Sequence, residues 1–185
     1  MRIISGKFRG KKINYINSEL TRPLRDFVKE NIFNILTHWN NNKINIGQSN
    51  ILDLYAGIGS FGIECLSRNA NKVVFIEKDK TAFLILKKNI EKLNLTKKAE
   101  LLNIDIKSYI NKKVKEKFSI VFLDPPYKDH SFVEIIKLLK KEKILNDPHI
   151  IIIHREKKSE DDLQDYLNIQ LVKQYGRSKV LFGTF

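Results

Sequence analysis

The stretch "LDLYAGIGSFGIE" (residues 52–64) leads from a short apolar run through a glycine-containing loop into a helical pattern. Gly57, Gly59 and Gly62 match the GxGxxG pattern, which follows the first strand of dinucleotide-binding Rossmann folds. Asp53 stands near the end of the apolar run, four residues before the first of these glycines. A carboxylate there would repel a pyrophosphate group, so the stretch favours a ligand with a positive end and no phosphate.

Outward from this loop, apolar runs alternate with helical patterns. The runs are "ILDLY", "KVVFIE", "AELLNI", "FSIVFL" and "HIIIIHR", and unbroken apolar runs of this length are typical of parallel strands covered on both faces. The helical patterns between them are "GIECLSRN", "KTAFLILKKNIEKLN", "KSYINKKV" and "FVEIIKLLKKEKIL". Repeated units of this kind predict a doubly wound, mostly parallel α/β sheet. The ending "IQLVKQYGRSKVLFGTF" adds two strands, so we expect seven strands in a Rossmann-like sheet with an antiparallel last strand.

The residues before this pattern form an extension. "RIISGKFRGKKINY" predicts a small β-hairpin around Gly6 and Gly10, and "TRPLRDFVKENIFNILTHW" predicts a helix with Pro23 in its first turn. The sequence contains no repeat and no second apolar core. We therefore expect a single domain over residues 1–185, with the extension over 1–45 and the core over 46–185.

The composition limits the class of protein. Of the 185 residues, 42% are hydrophobic, which is enough for a packed core. The formal net charge of +13 favours a polyanionic partner, most simply nucleic acid. Candidate phosphate contacts are the basic residues of "RIISGKFRGKK" together with Arg22, Arg25 and Lys29. An ordinary solvated surface, enriched in lysine by biased codon usage, is the alternative for each of them.

Cysteine and histidine usage argues against disulfides and metals. Cys65 is the single cysteine, which excludes an internal disulfide and a cysteine-based zinc site, and its helical phase predicts a buried thiol. The four histidines show no ligand spacing, so we predict no metal. No segment has the apolar length of a signal peptide or a membrane span, and we expect a soluble cytoplasmic protein.

Two further acids follow the second and third predicted strands. Glu77 ends "KVVFIE", and Asp105 comes directly after "AELLNI". Because ligands of doubly wound sheets bind at the carboxyl ends of the strands, these acids and Asp53 should face one site. S-adenosylmethionine fits such a site, since it has a sulfonium, an amino group, a ribose and an adenine but no phosphate. We expect Asp53 to hold the amino group, directly or through water, Glu77 to bind the ribose, and Asp105 to accept from the adenine amine.

The backbone of the glycine loop should lie close to the same donor. The remaining residues that we expect at the donor are Tyr55, Ala56, Gly57 and Gly59 in the loop and Ile106 beside the adenine. Two of the acids have ordinary alternatives, because Asp105 can cap the next helix and Glu77 can be a solvated acid. A nicotinamide-dependent dehydrogenase also remains open for the glycine pattern, although Asp53 and the lack of a substrate domain disfavour it.

The run "FSIVFLDPPYKDH" brings Asp124, Pro125, Pro126 and Tyr127 to the same edge of the sheet. These residues suit methylation of an exocyclic amine, whose lone pair is delocalised into the ring of a base. The Asp124 carboxylate and the Pro125 carbonyl can accept from the two amine hydrogens, which stabilises the charge that develops on nitrogen. The prolines stiffen the loop, and Tyr127 can stack on a flipped base. A strand-ending turn with Tyr127 packed on the core is the alternative.

These motifs together resemble a known family. "DPPY" after the fourth strand, "LDLYAGIGSFGIE" and "FIEKD" are similar to the class I amino-methyltransferases. "MRIISGKFRGKKI" and "TRPLRDFVKENIFNIL" narrow the resemblance to the bacterial RsmD family of 16S rRNA guanine-N2 methyltransferases. The resemblance implies methyl transfer from S-adenosylmethionine to the 2-amino group of one guanine in 16S rRNA, within an assembled or assembling small ribosomal subunit.

The resemblance also implies roles for individual residues. Asp124, Pro125, Pro126 and Tyr127 would hold the base, and Asp53, Gly57, Gly59, Glu77 and Asp105 would hold the donor. Thr21, Arg22 and Pro23 match the family's segment that closes over the cofactor pocket.

Four positions depart from the family's pattern. Ile58 replaces a small residue, His154 replaces a glutamate at the end of the fifth strand, and Leu24 and Arg25 stand where small hydroxyl residues are usual. Arg155 is then a candidate contact to RNA phosphate. Other substrates for the same chemistry are a DNA adenine or cytosine and a protein glutamine, and a non-catalytic RNA-binding assembly factor is a further alternative. We expect a monomer.

Overall fold

The structure, a computed structural model, describes residues 1–15, 24–38 and 44–185. The predicted donor contacts Thr21, Arg22 and Pro23 lie outside these ranges, as does the last residue of the predicted first helix, Trp39. The helices are α1 (Asp26–His38), α2 (Ser60–Ser67), α3 (Lys80–Lys92), α4 (Ile106–Ile110) and α5 (Phe132–Lys141), with a 3₁₀ turn at Ile46–Gln48. The strands are β1 (Asn50–Leu54), β2 (Lys72–Ile76), β3 (Ala99–Leu102), β4 (Phe118–Leu123), β5 (Leu145–Glu156), β6 (Asn168–Tyr175) and β7 (Ser178–Thr184).

The strands form one sheet of seven in the order β3-β2-β1-β4-β5-β7-β6. The strands β1 to β5 run parallel, and β7 lies antiparallel between β5 and β6. The predicted doubly wound sheet with an antiparallel last strand is therefore confirmed. Chain order reverses between β1 and its neighbour β4, and ligands of such sheets bind in the crevice at that point.

Apolar side chains cover both faces of the sheet. Alternate residues of β1 point to opposite sides, so Ile51 belongs to one hydrophobic cluster and Leu52 to the other. The cluster with Ile51 also takes Ile3 from the amino-terminal segment, Ile32 from α1 and Cys65 from α2. Cys65 is fully buried, as its helical phase predicts.

The amino-terminal segment has less sheet structure than the hairpin that we expected. A single antiparallel bridge joins Arg2 to Lys12, while the backbone N–H groups of Ile4 and Ser5 donate to the carboxylate of Glu64 at 2.8 and 2.9 Å. The segment approaches α2 closely, because a Cβ atom on Gly6 would lie 2.0 Å from the Ser67 carbonyl oxygen. Backbone bonds join Ile3 to Lys11 and Gly10 across the turn, and Glu64 of α2 anchors the segment from outside it.

Lys29 does not contribute to a charged outer surface of α1, and its assignment as a phosphate contact is wrong. Its side chain is fully buried and its Nζ donates to the Arg2 carbonyl at 2.8 Å, with the Glu64 carboxylate 3.8 Å away. Burial lowers the pKa of Lys29, and the carboxylates of Glu64 and Asp26 partly oppose that shift. Helical spacing could not identify this position, because its polar partners come from other segments of the chain.

Two helices end earlier than the apolar patterns indicate. The helix α4 stops at Ile110, and α5 stops at Lys141, where the pattern suggested a helix that continues to Leu145. Lys143 takes a left-handed conformation (φ 50°), which ends the helix before β5 begins. Among the helices of the described ranges, none has the length and apolarity that a membrane crossing requires.

Candidate active site

The loop between β1 and α2 turns sharply at the carboxyl edge of the sheet. Tyr55, Gly57 and Gly59 all have left-handed backbones, with φ of 58°, 56° and 86°. Such a conformation is uncommon for a residue with a side chain and is often found at functional sites. The Tyr55 hydroxyl donates to Asp129 at 3.3 Å, which ties this loop to the loop after β4.

The three glycines of this loop serve different purposes. A Cβ atom on Gly57 would meet nothing within 4 Å, so its backbone is open to a ligand. A Cβ atom on Gly59 would lie 2.4 Å from Leu86, and one on Gly62 would lie 2.3 Å from Phe75. Packing thus accounts for Gly59 and Gly62, while Gly57 remains the position suited to close approach of the donor. The intervening Ile58 and the neighbouring Ala56 are buried in the core.

Asp53 lies beneath the loop and not at its surface. Its side chain accepts from the Gly62 N–H at 3.0 Å, and only 1% of the residue is exposed. Burial raises the pKa of Asp53 well above its usual value, and the charges of Asp124 and Glu77 raise it further. The carboxyl groups at the ends of three different strands are therefore close enough to interact electrostatically.

Glu77 and Asp105 hold backbone groups at the same edge. Glu77 accepts from the N–H of Gly57 and from that of Asp79, both at 2.7 Å. Asp105 caps α4, since its Oδ1 accepts from the N–H groups of Lys107 and Ser108. The structural alternative that we gave for Asp105 is thus realised in this structure, and its Oδ2 takes no part in either bond.

The loop after β4 is held in place by Arg155. The guanidinium donates to the carbonyls of Pro126 and Tyr127 at 3.0 and 3.1 Å, and it forms two bonds with the Asp161 carboxylate at 2.9 and 3.0 Å. The side chains of Arg155 and Asp161 are almost fully buried, with 0% and 2% exposed. Arg155 is therefore not a phosphate contact, and that expectation is wrong. Two of its hydrogen bonds instead fix the backbone of the Asp-Pro-Pro-Tyr loop, and the other two bind Asp161.

His154, the other residue at the end of β5, touches the same loop. Its Nδ1 lies 2.8 Å from the Asp124 Oδ1, and 21% of the Asp124 side chain is exposed against 10% of the imidazole. The Nε2 atom of His154 is buried without a hydrogen-bond partner. The ring of Tyr127 stands 6.2 Å from the imidazole, close to perpendicular. Pro125 is buried, Pro126 is exposed and Tyr127 is half-buried.

The sequence pattern thus brings most of the expected residues to one edge. Asp53 lies near the carboxyl end of β1, and the glycine loop, Glu77, Asp105 and the residues from Asp124 to Tyr127 follow the carboxyl ends of parallel strands. Ile106 is buried in the first turn of α4, directly after Asp105. No group of three or more histidine, cysteine or acidic side chains arranged to hold a metal ion occurs within the described ranges.

Sequence reasoning missed the residues that support these groups. Asp161, Asp129 and Asn89 had no assigned role, although Asn89 donates to the Ile58 carbonyl in the glycine loop at 3.1 Å. One signal was available, because the pair His154-Arg155 ends an apolar strand at the edge where the other strands place their polar residues. The partners Asp161 and Asn89 carried no such signal, since they lie outside the strand ends.

The comparison with known proteins agrees with this geometry. The family model described as "Conserved hypothetical protein 95" matches residues 1–184. Ribosomal RNA small subunit methyltransferase D of Haemophilus influenzae is 40% identical over 159 residues, which cover 85% of this chain and 79% of that protein. The protein of the same name from Escherichia coli K12 is 34% identical over 156 residues, 84% of this chain and 75% of its own length. The chain belongs to the RsmD family of methyltransferases.

Solved structures similar to this RsmD-family chain have the same fold. The Escherichia coli protein yhhF superposes with a TM-score of 0.84 at 29% identity, covering 99% of this chain and 96% of that one. A structure from Haemophilus influenzae gives a TM-score of 0.79 at 33% identity, with coverage of 98% and 96%. The resemblance to the RsmD family and the Rossmann-like methyltransferase fold are both confirmed.

Proposed function

We propose that this protein uses S-adenosylmethionine to methylate the exocyclic 2-amino group of one guanine in 16S rRNA. The observation that carries the proposal is the Asp124-Pro125-Pro126-Tyr127 loop of this RsmD-family chain. The loop lies beside the glycine loop, and His154 and Arg155 hold it in place. A non-catalytic assembly factor would have no need for such a fixed acceptor loop.

The edge of the sheet suits a donor that carries positive charge. Asp53, Glu77, Asp105 and Asp124 gather there in a chain whose formal net charge is +13. Gly57 leaves open space for a ligand beside these acids. When bound, S-adenosylmethionine supplies an electrophilic methyl group on a sulfonium. A nicotinamide dinucleotide fits less well, because its pyrophosphate would lie against carboxylates.

Each donor contact has a role in this proposal. Glu77 is the ribose acceptor, and Asp105 uses its second oxygen for the adenine amine, with Ile106 beside the ring. Asp53 is proposed to hold the donor's amino group from beneath the loop, directly or through water, and its bond to Gly62 supports the turn through Tyr55 and Ala56 to Gly59. Thr21, Arg22 and Pro23 are proposed to complete the donor site from outside the described ranges.

The amine of the base would be held by two acceptors. The Asp124 carboxylate and the Pro125 carbonyl accept from its two hydrogens, so the nitrogen becomes more pyramidal and its lone pair is freed for attack on the methyl group. The bond between that methyl carbon and the sulfonium would break, S-adenosylhomocysteine would leave, and the methylated nitrogen would shed one proton. The hydrogen bonds to both acceptors become stronger as positive charge develops on nitrogen. They therefore stabilise the transition state of methyl transfer more than the bound substrate. Tyr127 stacks on the base after it leaves its helix.

Ribosomal RNA is favoured over the other amines by two observations. The relatives from Haemophilus influenzae and Escherichia coli are named as ribosomal RNA small subunit methyltransferases, and the basic charge suits a polyanion. We propose the small ribosomal subunit or its assembly intermediate as the substrate form. We further propose that residues 1–185 act as one domain and as a soluble monomer in the cytoplasm.

A transfer assay tests the function directly. Labelled S-adenosylmethionine is incubated with the protein and with unmethylated small subunits or naked 16S rRNA, and the nucleosides are analysed by mass spectrometry. We expect 2-methylguanosine. A methylated adenine or cytosine would keep the chemistry and reject the guanine assignment. No product from either RNA form, with the donor bound, would overturn the proposed substrate.

Two variants sharpen the assay. Asp124→Ala should reduce transfer by at least about 100-fold while donor binding is retained, since removal of one oxyanion-type or charge-stabilising contact commonly costs that much. Asp165→Ala is the matched control, because Asp165 is an exposed acid between β5 and β6. Full activity of Asp124→Ala would show that Asp124 is not the amine acceptor.

A further inference from the structure

Phe27 and Tyr175 form an exposed aromatic pair between α1 and the sheet. Their ring centroids are 5.8 Å apart and the rings are nearly perpendicular, at 87°. Tyr175 is half-buried against the core, but 65% of Phe27 is exposed, more than any other large apolar residue in the described part of the chain. The other apolar residues of α1, among them Val28, Ile32 and Phe33, are buried in the core. An aromatic ring of the same helix with most of its surface in water therefore suggests a binding role.

This pair adjoins the loop that we propose to hold the base. The turn from β6 to β7 lies at the carboxyl edge of the sheet, because Ser178 pairs with Glu156 and the N–H of Lys157 donates to the Arg177 carbonyl at 2.8 Å. Two residues earlier on β5, Arg155 binds the carbonyls of Pro126 and Tyr127. The β6–β7 turn, which follows Tyr175, therefore contacts the end of β5. The end of β5 in turn holds the Asp-Pro-Pro-Tyr loop.

Three exposed cations lie close to the two rings along the chain. Arg25 lies two residues before Phe27, Arg177 lies two residues after Tyr175, and Lys173 shares the strand face of Tyr175; all three are exposed. The acids nearby are fewer. Asp26 is already paired with Arg2 and Lys29, which leaves Glu30, one helical turn after Phe27, as the exposed acid on this part of α1.

We propose that Arg25, Phe27, Lys173, Tyr175 and Arg177, here called the Phe27 surface, bind the RNA strand next to the target base. An unpaired base stacks on Phe27, and the three cations contact the flanking phosphates. This inference rests on the proposed function, since it concerns the same RNA and the same edge of the protein.

The chemistry of the surface favours RNA over a protein partner. Protein–protein interfaces are depleted of lysine, whereas Lys173 lies on this surface and the whole chain has a formal net charge of +13. Stacking on an aromatic ring combined with cations along the backbone is the usual way to bind single-stranded RNA. The surface also lies at the edge of the sheet that holds Tyr127, next to the end of β5.

The first test measures RNA binding of ring variants. Phe27→Ala should weaken binding to naked 16S rRNA and to unmethylated small subunits by roughly tenfold, in the range found for lost base stacking. Phe27→Trp keeps a stacking ring and should bind as the wild type does. Leu84→Ala is the matched control, because Leu84 is 48% exposed on α3 but has no role in the proposal. At saturating RNA, the transfer rate of Leu84→Ala should equal that of the wild type.

A second test separates charge from stacking. Arg177→Gln should lower the slope of log affinity against log salt by about one unit, as expected for one lost phosphate contact. Lys97→Gln should leave the slope unchanged, because Lys97 is exposed in the turn before β3, at the opposite edge of the sheet.

Three outcomes would overturn the Phe27 surface. One is wild-type affinity of Phe27→Ala for both RNA forms. Another is weakening confined to assembled subunits and independent of salt, which would indicate a ribosomal protein as the partner. The third is a lower melting temperature of Phe27→Ala with normal RNA affinity, which would show that the ring packs against this chain. Because binding is measured apart from transfer, failure of the proposed reaction would appear instead as a wild-type protein that binds RNA and yields no 2-methylguanosine.

Discussion

The imidazole of His154 is hydrogen bonded to the carboxylate of Asp124, with 2.8 Å between Nδ1 and Oδ1. The opposite ring atom, Nε2, is buried without a partner. An ionised carboxylate can only accept, so Nδ1 carries the hydrogen of this bond. We infer that His154 donates to Asp124, so that Oδ1 is engaged and Oδ2 remains for the substrate amine.

Replacing His154 should therefore slow transfer without affecting the donor. His154→Ala removes the donor to Asp124, and we expect the single-turnover rate to fall roughly tenfold, the effect of about 1.4 kcal/mol on the barrier. His154→Asn keeps an N–H donor near the position of Nδ1 and should retain most of the rate. The measurement is methyl transfer at saturating RNA, with donor affinity determined in parallel by calorimetry. Equal losses in the two variants would show that the ring packs against the loop and does not orient Asp124.

Asp161→Asn should destabilise the protein. The variant leaves the buried guanidinium of Arg155 without its carboxylate, and breaking a buried pair in this way costs about 3 kcal/mol of unfolding free energy. Urea unfolding measures the loss. Asp162→Asn, one residue further along and exposed, should behave as the wild type does. A loss below about 0.5 kcal/mol, the size of an ordinary surface substitution, would contradict the assigned role of the pair.

The same variant should change how stability depends on pH. Burial acts to raise the pKa of Asp161, but hydrogen bonds from Arg155 and Ser159 outweigh it and hold the pKa below its ordinary value. A carboxyl with a lowered pKa in the folded state stabilises the protein above the unfolded value of about 3.9, and this contribution is lost as the pH falls through the folded pKa. Asp161→Asn should consequently lose less stability between neutral and acid pH than the wild type. Parallel curves for the two proteins would contradict the assignment.

Glu64→Ala should release the amino-terminal segment from α2. The carboxylate of Glu64 accepts from the N–H groups of Ile4 and Ser5, and it also lies near the buried ammonium of Lys29. Its loss leaves Lys29 without this counter-charge, so we expect about 3 kcal/mol of destabilisation and faster hydrogen exchange at Ile4 and Ser5. Glu91→Ala, an exposed acid on α3, is the control. Unchanged exchange at Ile4 and Ser5 would show that Glu64 does not anchor the segment.

Substitutions at two glycines should separate donor binding from folding. Gly57→Ala places a methyl group in open space at a left-handed position, which should cost about 1 kcal/mol of stability but obstruct the donor. Gly59→Ala forces a methyl group to within 2.4 Å of Leu86 and should cost more stability, about 2–4 kcal/mol. Thermal unfolding and calorimetry with S-adenosylmethionine measure the two effects. Normal donor affinity of Gly57→Ala would remove Gly57 from the donor site.

The sequence predicted those features that depend on local pattern. Runs such as Ile120 to Leu123 are apolar on both faces, so their burial in a parallel sheet follows without knowledge of their neighbours. Lys29 and Arg155 were misjudged because their burial depends on Glu64 and Asp161, which other segments supply. The end of α5 was missed for a different reason, since Ile144 and Leu145 continue the apolar spacing past Lys143, whose backbone breaks the helix.

The acids at the carboxyl edge have a consequence for turnover. In the proposed reaction the donor arrives with a sulfonium charge and leaves as an uncharged thioether. The field of Glu77, Asp105 and Asp124 attracts the sulfonium and has less hold on the thioether, so the spent product should dissociate more readily than the unreacted donor does. The same field repels phosphate, so the RNA backbone should stay outside this edge while a single neutral base enters. The charge at this edge therefore favours the methyl donor and excludes the RNA backbone.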